Sequence, residues 1–275
     1  MRRVEIGIAV SLALACTGGL AEWRREAGAK PDLLESSCAV VGIRCGAPSR
    51  YTGTLYITEN NIVIDGMNIV GNVVVDADNI TIKNSKLTSN TPWHALRVMD
   101  GATGFTLADS EIDGQNTTVN GVLGHGTFLR NDIHGVENGI NVTGQSLIQQ
   151  NYIHNLQGGA DAHYDGIEIN GGSDIQILHN TVVNDHEQTS AIMLNNDFGG
   201  LSNIVVDNNR LIGGGYSFYL DGRFHGGAVD DSSIRITNNV IKGAHYGNLS
   251  VYDSKPVISG NIQEMSESGL HATPE

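Results

Sequence analysis

Basic residues are scarce in this chain: 16 Lys and Arg stand against 30 Asp and Glu in 275 residues, a formal net charge of −14. That balance argues against nucleic acid as a partner, because neutralising phosphates takes clustered Lys and Arg. Aromatic residues make up only 5% of the chain, so stacked aliphatic side chains must supply the core. Three cysteines are too few for a disulfide-dense scaffold. Beyond the first 21 residues no stretch is long or apolar enough to span a bilayer.

Glycine is plentiful, at 35 residues, which suits a chain with many tight corners. Between Ile62 and Ile262 a short phrase recurs nine times: alternating apolar residues, a turn position, then another apolar residue. Examples are Ile62-Val-Ile-Asp-Gly66-Met-Asn-Ile69, Ile175-Gln-Ile-Leu-His179-Asn-Thr-Val182 and Ile234-Arg-Ile-Thr-Asn238-Asn-Val-Ile241. The turn positions are 66, 84, 109, 130, 150, 179, 208, 238 and 260, separated by 18, 25, 21, 20, 29, 29, 30 and 22 residues.

A period of this length with two-residue alternation inside each unit describes an all-β solenoid of short stacked strands. A second strand recurs between the phrases, as in Leu96-Arg-Val98, Ile140-Asn-Val142, Ile167-Glu-Ile169, Ile192-Met-Leu194, Phe218-Tyr-Leu220 and Leu249-Ser-Val251. The expected fold is a right-handed parallel β-helix of about nine coils with an N-terminal cap. An Asn-rich ladder should line one corner, with His179 as a substitute rung. His134 and His154 each follow the last apolar residue of a phrase, so they should stack on adjacent coils as a surface column.

Residues 1–21 have the layout of a secretory signal peptide: Arg2 and Arg3, an apolar run from Ile6 to Ala15, then small residues. The mature protein is then secreted or periplasmic, with lipoprotein anchoring at Cys16 as the alternative. Cys38 and Cys45 remain as a pair that export could oxidise to a small disulfide loop or leave as two thiols. Residues 22–50 read as the cap segment, helical from Glu22 to Leu34, and 51–275 as the β-helix domain, taken to be a monomer.

Three consecutive coils, from Gln150 to Asn238, take 29 or 30 residues where the two before them take 20 or 21. Loops inserted on one face of a repeat array are where binding surfaces are built. The outward positions of the second strand, Asn141, Glu168, Met193 and Tyr219, should form a row along the axis, the shape of a groove for a linear polymer. The loops beside it hold His163, Tyr164, Asp165, Asn195, Asp197, Asp221, Arg223 and His225, and Arg223 is their only Lys or Arg.

From about Tyr51 to Ile262, on these phrases and on Tyr164-Asp-Gly-Ile-Glu-Ile169 and Gly213-Gly-Gly-Tyr216, the chain resembles secreted bacterial β-helix proteins of the pectate-lyase-like superfamily. Gly124-His125-Gly126 is similar to a polygalacturonase motif, but Asp230-Asp231 follows it, in the wrong order. The epimerase Tyr-Gly-x-Asp-Pro-His stretch is reduced here to Asp161-Ala-His163-Tyr164-Asp165, and the motifs of calcium-binding pectate lyases are absent. In character the chain is similar to short lyases acting on alginate or related uronates.

That resemblance implies a β-elimination in which one group neutralises the uronate, a base takes the C5 proton and an acid protonates the leaving oxygen. The catalytic expectation is His163 as base, with Arg223 as the alternative, and Tyr164 or Tyr219 as acid. Asn141, Glu168, Asn195, Tyr216 and His225 are expected to contact substrate, and Asp165, Glu168, Asp197 and Asp221 could hold Ca2+. Two other readings stay open: a glycoside hydrolase using two of those four carboxylates, and a non-catalytic carbohydrate-binding or adhesive solenoid.

Overall fold

The computed structural model describes residues 49–264. The signal, most of the cap segment and all three cysteines lie outside the described residues. The described chain is a single sheet of 24 strands with every pairing parallel, wound into a β-helix. Among the described residues the one helical element is a 3-10 turn at Asp231–Ser233, and no helix is long and apolar enough to cross a membrane.

Each recurring phrase folds as two short strands meeting at a sharp corner. In the first, Val63–Asp65 and Met67–Val70 meet at Gly66, whose φ is 72°. All nine turn positions have positive φ: Asn84, Asp109, Arg130, Gln150, His179, Asn208 and Asn238 lie between 49° and 57°, and Gly260 is at 69°. A single left-handed residue is what turns a strand through a tight corner, and Gly, Asn and Asp bear it most easily.

The alternation places its apolar residues inward. Ile82, Leu107, Phe128, Ile148, Ile177, Val206 and Ile236 stack on one wall, and all are fully buried. Aliphatic columns dominate, and the one aromatic pair at their centre is Phe105 with Phe128, rings 6.1 Å apart.

The asparagine ladder lies one residue beyond the expected position. Asn131, Asn151, Asn180, Asn209 and Asn239 are buried immediately after the corners, and Asn261 continues the column. Each amide nitrogen donates to the Oδ1 of the next rung, at 2.9–3.0 Å, and to a main-chain carbonyl; each Oδ1 also accepts the backbone N–H of the rung before. His179 is therefore not a rung: it is an exposed corner residue at φ 55°, and Asn180 does the bonding. A rung such as Asn180 donates two hydrogen bonds from its amide nitrogen and accepts two at its oxygen, whereas a neutral imidazole offers a single donor and a single acceptor.

The histidine column forms as expected. His134 and His154 lie 5.3 Å apart, ring to ring, and bond to Glu111 at 3.2 Å and Asp132 at 2.8 Å.

Candidate functional site

The third strand of each coil builds a continuous outward row. In register along the axis stand Tyr56, Val74, Arg97, Leu123, Asn141, Glu168, Met193, Tyr219 and Ser250. The flanking residues of most of these strands are buried aliphatics, for example Ile167 and Ile169 beside Glu168, which anchor the strand while its central side chain is presented outward.

Glu168 is the centre of the polar part of that row. Asn141 Nδ2 donates to its Oε2 at 2.5 Å, and Asn170 Nδ2 donates to its Oε1 at 2.8 Å. Asn195 Nδ2 in turn donates to Asn170 Oδ1 at 2.5 Å, and the Asp197 backbone N–H fixes Asn195 Oδ1 at 3.0 Å. Three consecutive coils are thereby tied into one amide network ending on a carboxyl. Burial raises the pKa of that carboxyl, and the field of Glu137 adds to this against the opposing pull of Asn170 and His163.

Asp165 is buried at 3% exposure in a second polar column running His94, Asn120, Asn138, Asp165, Ser190. Burial, and then the neighbouring Glu168, push its carboxyl well above the ordinary range. Its Oδ1 accepts from both the backbone N–H and the hydroxyl of Ser190, at 3.2 Å each.

Two coils farther along, Tyr219, Asp221 and Arg223 form a closed knot. The Tyr219 hydroxyl donates to Asp221 Oδ2 at 2.8 Å; Arg223 donates to both carboxylate oxygens and, at 3.2 Å, to the Tyr219 oxygen. The Arg223 hydrogen bonds hold Asp221 down at about 2, while burial and the Asp221 carboxylate push Tyr219 up to about 12. The Arg223 guanidinium lies 4.1 Å from the centre of the Tyr252 ring, a cation–π contact. Tyr216, Tyr219, Tyr246 and Tyr252 form an aromatic cluster with ring separations of 5.7–6.1 Å.

The predicted site residues thus divide. Asn141, Glu168 and Asn195 share the amide network, and exposed His163 reaches it electrostatically, its backbone N–H held by Glu137 Oε1 at 3.0 Å. Tyr219, Arg223 and Tyr216 belong to the second cluster. Tyr164 stacks on His186, rings 3.6 Å apart, and its hydroxyl points to the Gly159 carbonyl. His225 and Asp197 are exposed on loops.

The carboxylates suggested for Ca2+ are not gathered into one cluster: among the described residues no three His, Cys, Asp or Glu side chains converge. Asp165 is buried against Ser190 and Asp221 is engaged by Arg223.

Sequence reasoning passed over Asn170, Glu137 and Tyr252. Asn170 and Tyr252 stand in the column of Asn195 and Asp221, just past the last inward residue of each strand, a spacing readable in the repeat.

A scan against protein-family models finds no match, and a search of curated proteins finds none. Among solved structures, the A-module of the Azotobacter vinelandii mannuronan C-5 epimerase AlgE6 superposes with a TM-score of 0.58 at 14% identity, over 78% of this chain. This chain spans 65% of that module's length. Two structures of the periplasmic alginate epimerase AlgG share 12% identity over 80% of this chain and 79% of theirs, with TM-scores of 0.29 and 0.26, too low to carry an argument. The likeness to the AlgE6 module is one of fold.

Proposed function

We propose that this protein is an enzyme that modifies a 4-linked uronate polysaccharide by abstracting the proton at C5, with β-elimination as the outcome. The observation that carries the reading is the Glu168 carboxyl, raised by burial and set among the side-chain amides of Asn141 and Asn170 on an outward row. An anion brought beside it raises its pKa further, so a uronate carboxylate would bind with Glu168 protonated and donating. The two charges would share one proton, and the Asn amides would supply further donors. Withdrawing charge from the carboxylate is what makes the adjacent C5 proton acidic.

His163 is the group assigned to take that proton; the C5–H electron pair forms the C4=C5 double bond as the C4–O4 bond breaks, and the departing O4 takes a proton from water or from the imidazolium just formed. His163 is exposed and stands within the field of Glu168, and imidazole is the side chain most often used as a general base. The Tyr219–Asp221–Arg223 knot, two coils away, is assigned to binding a neighbouring sugar: its guanidinium is half exposed and the Tyr rings offer stacking faces. A lyase would be read out as an unsaturated, ultraviolet-absorbing end on alginate or pectate fragments. Loss of that signal in His163→Ala and Glu168→Ala, with folding intact, is expected; cleavage that survives both changes would overturn the assignment.

The fold shared with a mannuronan C-5 epimerase module favours a second outcome, reprotonation of C5 from the opposite face. Proton exchange at C5 in deuterated water without chain cleavage would identify it. A hydrolase has less to work with, because a pair of free carboxyls is required and Asp165 and Asp221 are both engaged.

A further inference from the structure

The outward row extends well beyond the long coils, and its other half holds a cation, Arg97, that no carboxylate among the described residues neutralises. Of the Lys and Arg residues described, Lys83, Lys86, Arg130, Arg223 and Lys242 each pair with a carboxylate, whereas Arg50, Arg97, Arg210, Arg235 and Lys255 form no such pair among the described residues, and of these five only Arg97 stands on the outward row. The Arg97 side chain is exposed and makes no hydrogen bond or ion pair among the described residues, although the protein as a whole is strongly acidic. It stands in register on the same row as Asn141 and Glu168, separated from Asn141 by Leu123 alone. Its field reaches His94 at the start of its own strand, which burial and then Arg97 hold below the usual imidazole range. Immediately before that strand is Trp93, 68% exposed, whose backbone carbonyl accepts from Asn120 N–H at 2.8 Å. A large exposed indole and an unpaired guanidinium thus stand on one coil, one just before the strand and one on its outward row, in a chain with two tryptophans.

We propose that Arg97 and Trp93 form a distal subsite for the uronate polymer, Arg97 binding a substrate carboxylate and Trp93 packing against a sugar ring. The inference rests on the uronate reading above and adds the extent and polarity of the bound chain. Arg97 is three coils from Glu168, about 14 Å at the usual strand spacing. A 4-linked uronate advances by about one such spacing per sugar, so a chain with one residue at Glu168 places its third neighbour at Arg97. A fork-shaped guanidinium suits a carboxylate there, and because it needs no partner inside the protein, nothing has to be broken for it to bind.

The test is binding and turnover of oligouronates of defined length by the full chain. A trisaccharide seated at Glu168 cannot reach Arg97, whereas an octasaccharide can. Arg97→Gln is expected to weaken octasaccharide binding about tenfold and leave the trisaccharide unchanged. Trp93→Ala is expected to abolish an octasaccharide-induced change in tryptophan emission. Arg210→Gln, an exposed arginine on a strand of another face, is the control for net charge and should change neither. An octasaccharide affinity unmoved by Arg97→Gln, or an equal loss on both lengths, would overturn the subsite while leaving the uronate reading standing. A parent protein that binds neither oligomer would overturn both.

Discussion

Arg223 grips the Asp221 carboxylate at both oxygens, Nε to Oδ1 at 2.8 Å and Nη2 to Oδ2 at 2.5 Å, although the two residues are only two apart in sequence. The turn between them is closed by a third bond, from the Arg223 backbone N–H to Oδ1 at 3.0 Å. Asp221 is buried to 4% exposure at its side chain, whereas Arg223 remains 55% exposed.

The first prediction follows from that grip. Asp221 is held at about 2 against an ordinary value of 3.8, so it stabilises the fold above that ordinary value and the contribution is lost as pH falls through about 2. Asp221→Asn should therefore cost about 1–2 kcal/mol at neutral pH, after allowing for solvent around the guanidinium, and the parent and variant curves should converge in strong acid. Urea melts across that range would check both the size and the convergence.

Asp165 behaves in the opposite sense. Its pKa is raised, so what it contributes is present below the ordinary aspartate value and lost as pH rises through the raised one. Asp165→Asn keeps an acceptor for Ser190 and removes the buried charge. The variant should be more stable than the parent at neutral pH and indistinguishable from it below about pH 4. A neutral-pH melting temperature lower than the parent's would refute this account of the buried carboxyl.

Glu168 connects pH to binding. If a uronate is held by the protonated carboxyl, oligouronate affinity should fall as pH rises through the raised Glu168 value. Glu168→Gln should flatten that profile and, at alkaline pH, bind more tightly than the parent while turning substrate over more slowly. Calorimetry in two buffers of different ionisation enthalpy would reveal the accompanying proton uptake.

The ladder and the corner beside it should respond differently to substitution. Asn180→Ala strands the Ile148 carbonyl and the donors of Asn151 within a buried column, at a cost of about 3 kcal/mol. His179→Asn, one residue earlier, should be close to neutral because Asn tolerates its positive φ, whereas His179→Val should cost about 1–2 kcal/mol. Thermal unfolding of the three variants separates a side-chain bonding site from a backbone one.

Much of this architecture was legible in the sequence because a parallel β-helix repeats one decision many times. Every corner named from the phrase has positive φ, and Asn141, Glu168, Met193 and Tyr219 stand in one register. The ladder was placed one residue early for a physical reason. Left-handed corners and amide ladders both favour Asn, so Asn208-Asn209 and Asn238-Asn239 hide the difference that His179-Asn180 and Arg130-Asn131 expose. The loops were less readable, since no period governs them. Nothing in the spacing of Tyr164 announces that it stacks on His186, and the Asp221–Arg223 grip depends on a turn that only the folded loop defines.

One property of the ladder reaches past stability. The rungs Asn131, Asn151, Asn180, Asn209 and Asn239 are separated by 20, 29, 29 and 30 residues, yet their amide contacts are the same at every step. The zipper of amides registers how many times the chain has gone round and is indifferent to how far it wandered on each circuit. Each excursion between strands is thus an interchangeable attachment on a fixed rack, and new specificities could be grafted coil by coil without retuning the spine.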